Sequence, residues 1–187
     1  NRQIAETLED FKEEGADLNA EKKITLKKIQ KELAKLTQKY SENCLDATNA
    51  WEYRVYDKEL LKGLPKSALQ AAEESAKKHP LNTPKNSDNK RPTWRFTLDS
   101  TSFIPVITYA KNSALRKVFW CAYQSVGRTP PYENGGLVER ILHLRHQYAQ
   151  IVGKKDFAEH TTSRRMVRNG ASASNFIKTM QRQIKKH

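Results

Sequence analysis

Apolar side chains recur along this chain at two periods. From Ala20 to Ala50 neither Gly nor Pro interrupts, and Ile29, Leu33, Leu36, Tyr40, Cys44 and Ala47 follow one another at spacings of three and four, which stacks them on one side of a 3.6-residue helix. Lysines and glutamates fill the other faces. At 1.5 Å per residue this is roughly 45 Å of helix, the predicted spine of the domain. At Trp51 the period drops to two. Trp51, Tyr53 and Val55 alternate with Glu52, Arg54 and Tyr56, which predicts a strand over Trp51–Asp57. Thr93–Asp99 alternates in the same way, with Trp94, Phe96 and Leu98 on one face. Two aromatic strands of matched length predict an antiparallel hairpin pair with a helix inserted between them, covered by the long helix.

The remaining segments read as helices with local start and stop signals. Arg2–Glu14 carries Ile4, Leu8 and Phe11 on one stripe and ends at Gly15, and Asp17 or Asn19 caps the spine. Asp57 caps a short turn closed by Gly63, and Pro65 opens a helix that runs through Lys78 to His79-Pro80. Residues 81–92, LNTPKNSDNKRP, read as an exposed, mobile loop on their prolines and polar run. Thr101 or Ser102 caps a short helix with Pro105 in its first turn, ending near Ala110. Asn112 caps the next, with Leu115, Val118, Phe119, Ala122 and Tyr123 inward, and Gly127 closes it before the loop RTPPYENGG. A further helix turns Val138, Ile141, Leu142, Tyr148, Ile151 and Val152 inward and stops at Gly153. Asp156 caps Phe157–Arg168, Asn169-Gly170 breaks the chain, and Ser172–Lys186 carries Phe176, Ile177, Met180 and Ile184. The expected fold class is all-α, a multi-helix lobe with one embedded two-stranded antiparallel β-hairpin, with residues 1–187 forming a single lobe. The chain starts inside a helix without an initiator Met, and its last helix keeps an apolar stripe to the end; both lead to the expectation that it is a fragment of something larger.

Composition narrows the class. The 187 residues are 37% hydrophobic and 29% charged, and the mean hydropathy is −0.83, which is a soluble balance with enough apolar content for a core. No apolar run approaches the roughly 20 residues needed to span a bilayer, and NRQIAETLEDF is not a secretory signal. Net charge is +13, from 34 Lys+Arg against 21 Asp+Glu. The bases are spread over the polar faces of the spine helix (Lys22, Lys23, Lys27, Lys28, Lys31, Lys35 and Lys39, with Glu21 and Glu32 among them), the pattern of a solvated face, and nucleic acid is not expected as a partner. Cys44 and Cys121 both fall on apolar stripes and read as small buried thiols in a reducing compartment.

Candidate chemistry is sparse. The zinc-hydrolase signature His-Glu-x-x-His puts two ligands at i and i+4 of a helix with a general base between them. The five histidines are His79, His143, His146, His160 and His187, and none is followed by Glu. Glu139, His143 and His146 sit at i, i+4 and i+7, but without a base or further ligand they read as polar surface. Neither cysteine pairs with a histidine as a nucleophile would need, and Gly135-Gly136 lacks the strand and Lys-Ser/Thr of a phosphate loop. No catalytic or metal residue is assigned in this chain, and its substrate-binding residues stay unidentified.

A family resemblance supplies a function. Leu36-x-x-Lys39-Tyr40-Ser41-Glu42-Asn43-x-Leu45-Asp46-Ala47-Thr48-Asn49-Ala50, then Gly63-Leu64-Pro65-x-Ser67-Ala68, Phe96-Thr97-Leu98-Asp99, and Phe103-x-Pro105-Val106-x-Thr108-Tyr109-Ala110-x-Asn112-x-x-Leu115-Arg116 follow in order. Ala122-Tyr123, Ile141-Leu142-x-Leu144-Arg145-His146-x-x-Ala149-Gln150-x-x-Gly153 and Phe157-Ala158-Glu159 continue the series. Together they resemble part of the N-terminal helical lobe of the oligopeptidase A/thimet-oligopeptidase family of zinc metallopeptidases. The sequence departs from the family at residues 81–92, which look like an insertion, at Glu133-Asn134 (Asp-Asn in the family) and at Arg165-Met166-Val167 (Lys-Met-Ala). In that family a second lobe holds the His-Glu-x-x-His zinc site, and a channel between the lobes admits short, unfolded peptides. The resemblance implies a non-catalytic lobe forming one wall of the channel and inactive alone. It further implies zinc in the absent catalytic lobe, that lobe of the same polypeptide and short peptides as partners, and a cytoplasmic or mitochondrial location. The alternative is a stand-alone truncated relative that binds peptides or proteins without hydrolysis.

Overall fold

A computed structural model of the protein describes residues 2–80 and 93–185. The expectation for the 81–92 loop, and for the last helix at Lys186, falls outside the described residues. Eight α-helices, one 3-10 turn and two strands make up the described part: α1 Arg2–Glu13, α2 Ala20–Ala50, β1 Glu52–Val55, the 3-10 turn Lys58–Leu61, α3 Lys66–Lys78, β2 Trp94–Thr97, α4 Ser100–Tyr109, α5 Ser113–Gln124, α6 Gly135–Ile151, α7 Phe157–Thr162 and α8 Gly170–Ile184. This is the expected all-α class with one embedded two-stranded antiparallel sheet. The chain falls into two compact units, Asn1–Lys39 with Gly135–His187, and Tyr40–Asn134.

Side-chain caps set four of the eight described α-helix starts. Asn19 Oδ1 accepts from the Lys22 N–H at 2.9 Å, Asn112 Oδ1 from Leu115 N–H at 3.0 Å, Asp156 Oδ1 from Glu159 N–H at 2.8 Å and Asn169 Oδ1 from Ser172 N–H at 2.8 Å, each satisfying a first-turn donor that the helix cannot. Asp57 does the same for the 3-10 turn through Glu59 N–H. Gly63 closes that turn at φ +98°, and a Cβ there would lie 2.2 Å from the Tyr109 carbonyl oxygen, so both the backbone angle and the close approach require glycine.

In the unit Tyr40–Asn134, β1 and β2 pair antiparallel with Tyr53 opposite Phe96 and Val55 opposite Trp94. Val55, Trp94, Phe96 and Leu98 are buried. The cover differs from expectation. Leu61, Leu64, Ala72, Val106, Ala110, Leu115 and Phe119 pack on the sheet, so α3, α4 and α5 cover the aromatic face, not the spine helix. These helices are close in sequence to the strands and bring their own apolar stripes. Phe119 is fully buried at the centre, with Trp51, Tyr53 and Phe96 presenting rings edge-on at 5.1, 5.8 and 5.9 Å between centroids.

In the other unit, Leu26 and Ile29 of α2 pack with Leu144 and Tyr148 of α6, ringed by Leu18, Leu33, Leu36, Ile151, Val152 and Phe157. Several inward assignments do not hold. Val118, Tyr123, Val138 and Leu142 are exposed, as is Tyr40, because each apolar stripe was broader than the neighbour that covers it. Ala149 and Leu144, unassigned in the pattern, are buried instead. The segment after Asp156 stays helical only to Thr162 rather than to Arg168, and Arg168 sits at φ +60° before Asn169 restarts the helix. α4 begins at Ser100 behind Asp99, ahead of either expected cap, so Pro105 lies inside the helix rather than in its first turn. Ser102 Oγ instead accepts from the Thr97 N–H at 3.0 Å, tying the helix start to β2.

Candidate functional site

The sequence-level candidates do not converge. Glu139, His143 and His146 all lie on the exposed side of α6, opposite the buried Ile141, Leu144 and Tyr148. Among the described residues no group of three or more His, Cys, Asp or Glu is arranged to hold a metal ion, so this donor set does not fit zinc. His79 is exposed, with Nδ1 3.0 Å from the Ser75 carbonyl. His160 packs against Tyr148 and Phe157. Its Nδ1 is buried without a hydrogen-bond partner, and desolvation, ahead of the opposing pull of Glu13, holds its pKa below the usual histidine value. Cys121 is exposed, against the expectation of a core thiol, and Cys44 is half-buried with its Sγ accepting from Asn134 Nδ2 at 3.3 Å. At about 100° per residue, position 121 lies nearly across the helix from Leu115 and Phe119, on the side away from the core.

Two buried amides do structural work that the residue pattern alone did not reveal. Asn43 Nδ2 donates to Asn134 Oδ1 at 2.9 Å, and Asn134 Nδ2 donates to the Tyr40 carbonyl at 3.3 Å. The Asn134 N–H donates to the Gly127 carbonyl at 2.9 Å. This pins the loop after α5 to the second half of α2, with both side-chain Nδ2 groups of the pair donating. Asn43 stands in a stretch that carried the family resemblance, whereas Asn134 follows the Glu133 at which the sequence departs from it.

Each unit has at least one groove with a polar rim among the described residues. In the unit Tyr40–Asn134, a cavity of about 300 Å³ lies along α3, β2 and the start of α4, with Ser75, His79, Arg95, Asp99 and Ser102 among its lining. Its charge is already committed. Arg95 and Arg54 stand opposite each other across the sheet, and Glu52 accepts from Arg95 Nε at 2.5 Å and from Arg54 Nε at 2.9 Å. These two guanidiniums, Arg95 first, hold the Glu52 carboxyl below the usual range. Arg95 also donates to Ser75 Oγ and Arg54 to the His79 carbonyl, so the cluster fastens the C-terminal end of α3 to the sheet.

In the other unit, a groove of about 430 Å³ runs between α2 and α6. Ile29, Leu144 and Ile151 form its apolar side, Lys22, Lys28, Gln147 and Gln150 its polar side, and the Arg140–Glu32 ion pair at 2.7 Å bridges the two helices. Ile29, Ile151, Lys22, Lys28 and Glu32 were assigned to faces of single helices in the sequence, but their joint groove was not. The signal was the spacing of Arg140, Gln147 and Gln150 beside Leu144 and Ile151, a polar flank next to an apolar stripe.

Comparison with known proteins points one way. The family description "Peptidase family M3" matches residues 106–187. The chain is 38% identical over 154 residues to the organellar oligopeptidase A, chloroplastic/mitochondrial, of Arabidopsis thaliana, covering 81% of this chain and 19% of that protein. It is 33% identical over 179 residues to oligopeptidase A of Haemophilus influenzae, covering 93% of this chain and 25% of that protein. A probable cytosolic oligopeptidase A of Arabidopsis thaliana is 36% identical, covering 81% and 21%. The chain therefore spans about a fifth to a quarter of the length of these relatives.

Proposed function

This chain is related by sequence to the oligopeptidase A/thimet-oligopeptidase family, and from that premise we propose that it is the non-catalytic N-terminal lobe of an oligopeptidase A-like zinc metalloendopeptidase, forming one wall of a channel for short peptides. The observation that carries the reading is the coverage: the similarity extends over 81–93% of this chain but only 19–25% of the relatives. The zinc and the hydrolytic groups belong, on this reading, to a part of a longer polypeptide outside this sequence. That catalytic lobe is the chain's covalent partner, and the chain contributes shape rather than chemistry. The grooves, which offer surface rather than gathered reactive groups, support this division of labour. We place the protein in the cytoplasm, with the mitochondrion as the other compartment that the relatives' names suggest. Among the described residues no helix is long and apolar enough to cross a membrane.

The test compares the purified 187-residue chain with the longer polypeptide from the same source. The longer form is expected to hold stoichiometric zinc and to cleave a short quenched peptide in a chelator-sensitive way; the 187-residue chain is expected to do neither. One tightly held zinc per 187-residue chain, with chelator-sensitive cleavage, overturns the proposal.

A further inference from the structure

The α2–α6 groove has polar groups with nothing to bind. Neither Lys22 nor Lys28 has an ion-pair partner among the described residues, and the side-chain amides of Gln147 and Gln150 make no hydrogen bond there. The only carboxylate lining the groove, Glu32, is neutralised by Arg140, which holds its pKa below the ordinary carboxylate value. The unit that contains the groove carries 20 of the chain's 34 Lys and Arg but 11 of its 21 Asp and Glu, or +9 of the net +13. An apolar strip flanked by uncommitted cations and amides is complementary to one kind of occupant.

We propose that this groove binds an extended acidic peptide segment, an apolar residue flanked by Asp or Glu. The apolar side chain would lie against Ile151 and the remaining exposed edge of Ile29, above the buried Leu144, and the flanking carboxylates would meet Lys22 and Lys28. Each glutamine amide offers both a donor and an acceptor, which matches the alternating C=O and N–H of an extended backbone. The lining residues span Lys22 to Glu32 on α2; at 1.5 Å per helical residue that is roughly 15 Å, or about four to five residues of extended peptide at 3.3 Å each. The site is open, so affinity is set by charge and by one apolar contact, with moderate salt dependence. The inference goes beyond the peptidase reading and does not depend on it, because it concerns binding by this chain without hydrolysis.

Fluorescence anisotropy on the full 187-residue chain at about 0.15 M salt, where screening acts over about 8 Å, tests this directly. The probes are a labelled pentapeptide Asp-Glu-Leu-Asp-Glu, the same peptide with lysine at every acidic position, and the acidic peptide with serine in place of leucine. The acidic peptide is expected to bind at least tenfold more tightly than the basic one and at least threefold more tightly than the serine form. Lys28→Glu is expected to weaken it at least tenfold, whereas Lys35→Glu, the same charge change on exposed α2 surface outside the groove, should weaken it less than twofold. Equal losses in the two variants, no preference for the acidic or leucine-containing probe, or equally tight binding of a single-stranded oligonucleotide of matched charge would overturn the proposal. Failure here leaves the zinc and cleavage test untouched.

Discussion

Phe119 concentrates the packing of its unit in one side chain. It is fully buried and receives three aromatic rings edge-on, so Phe119→Ala removes both its burial and those contacts. Such truncations cost about 3–5 kcal/mol, a large part of a stability of roughly 5–15 kcal/mol, and chemical denaturation should show a loss in that range. Asn43→Ala leaves the buried Asn134 with one partner fewer, and the same measurement should register about 1–3 kcal/mol. Glu52 adds a pH signature. Its carboxyl is held low by Arg95 and then Arg54, so its contribution is fully present above the unfolded carboxyl value of about 4.3 and is lost as pH falls through the lower folded value. Glu52→Gln should therefore cost about 1 kcal/mol at neutral pH, discounted for partial exposure, and the difference from the parent should shrink between about pH 5 and 3. Arg95 illustrates what the alternation could not reveal. The period-two pattern put it on the outer face, where loss would be cheap, but its bonds to Glu52 and Ser75 make it a fastener of α3.

At the scale of elements, what was readable in the sequence was local. Asn19, Asp57, Asn112 and Asp156 announced their roles because a cap bonds within three residues of itself. The paired strands were readable because alternation needs no knowledge of the neighbour. Which edge of a broad stripe is covered was not readable, since that depends on a partner distant in sequence; Val118 and Leu142 were misplaced for this reason. The grooves, which combine residues of separate helices, were hidden for the same reason. α8 is the extreme case. It keeps Phe176, Ile177, Met180 and Ile184 exposed and buries no residue, and a helix of this length is marginal in water without tertiary packing. In hydrogen exchange on the 187-residue chain, amides of α8 should exchange far faster than those of α5, which anchors Leu115 and Phe119 in the core. Comparable protection of the two helices would contradict this.

For the whole molecule, proportion is the telling feature. The chain aligns along most of its own length with oligopeptidases but with only 19–25% of theirs, and its described residues gather no metal-binding group. The resemblance was legible in an ordered series of short matches, several of which now have a physical reason, among them Asn43 in its buried amide pair, Gly63 in its tight turn and Asn112 at its cap. The proposed division into a scaffold here and chemistry elsewhere rests on that resemblance, because no residue in the sequence announces a reaction. The most direct measurement is the intact mass of the polypeptide recovered from its source with an antibody raised against this chain. With 21.6 kDa for the 187 residues and a share of about a fifth to a quarter, the account predicts a polypeptide roughly four to five times that mass; recovery of a 21.6 kDa polypeptide and nothing larger would contradict it.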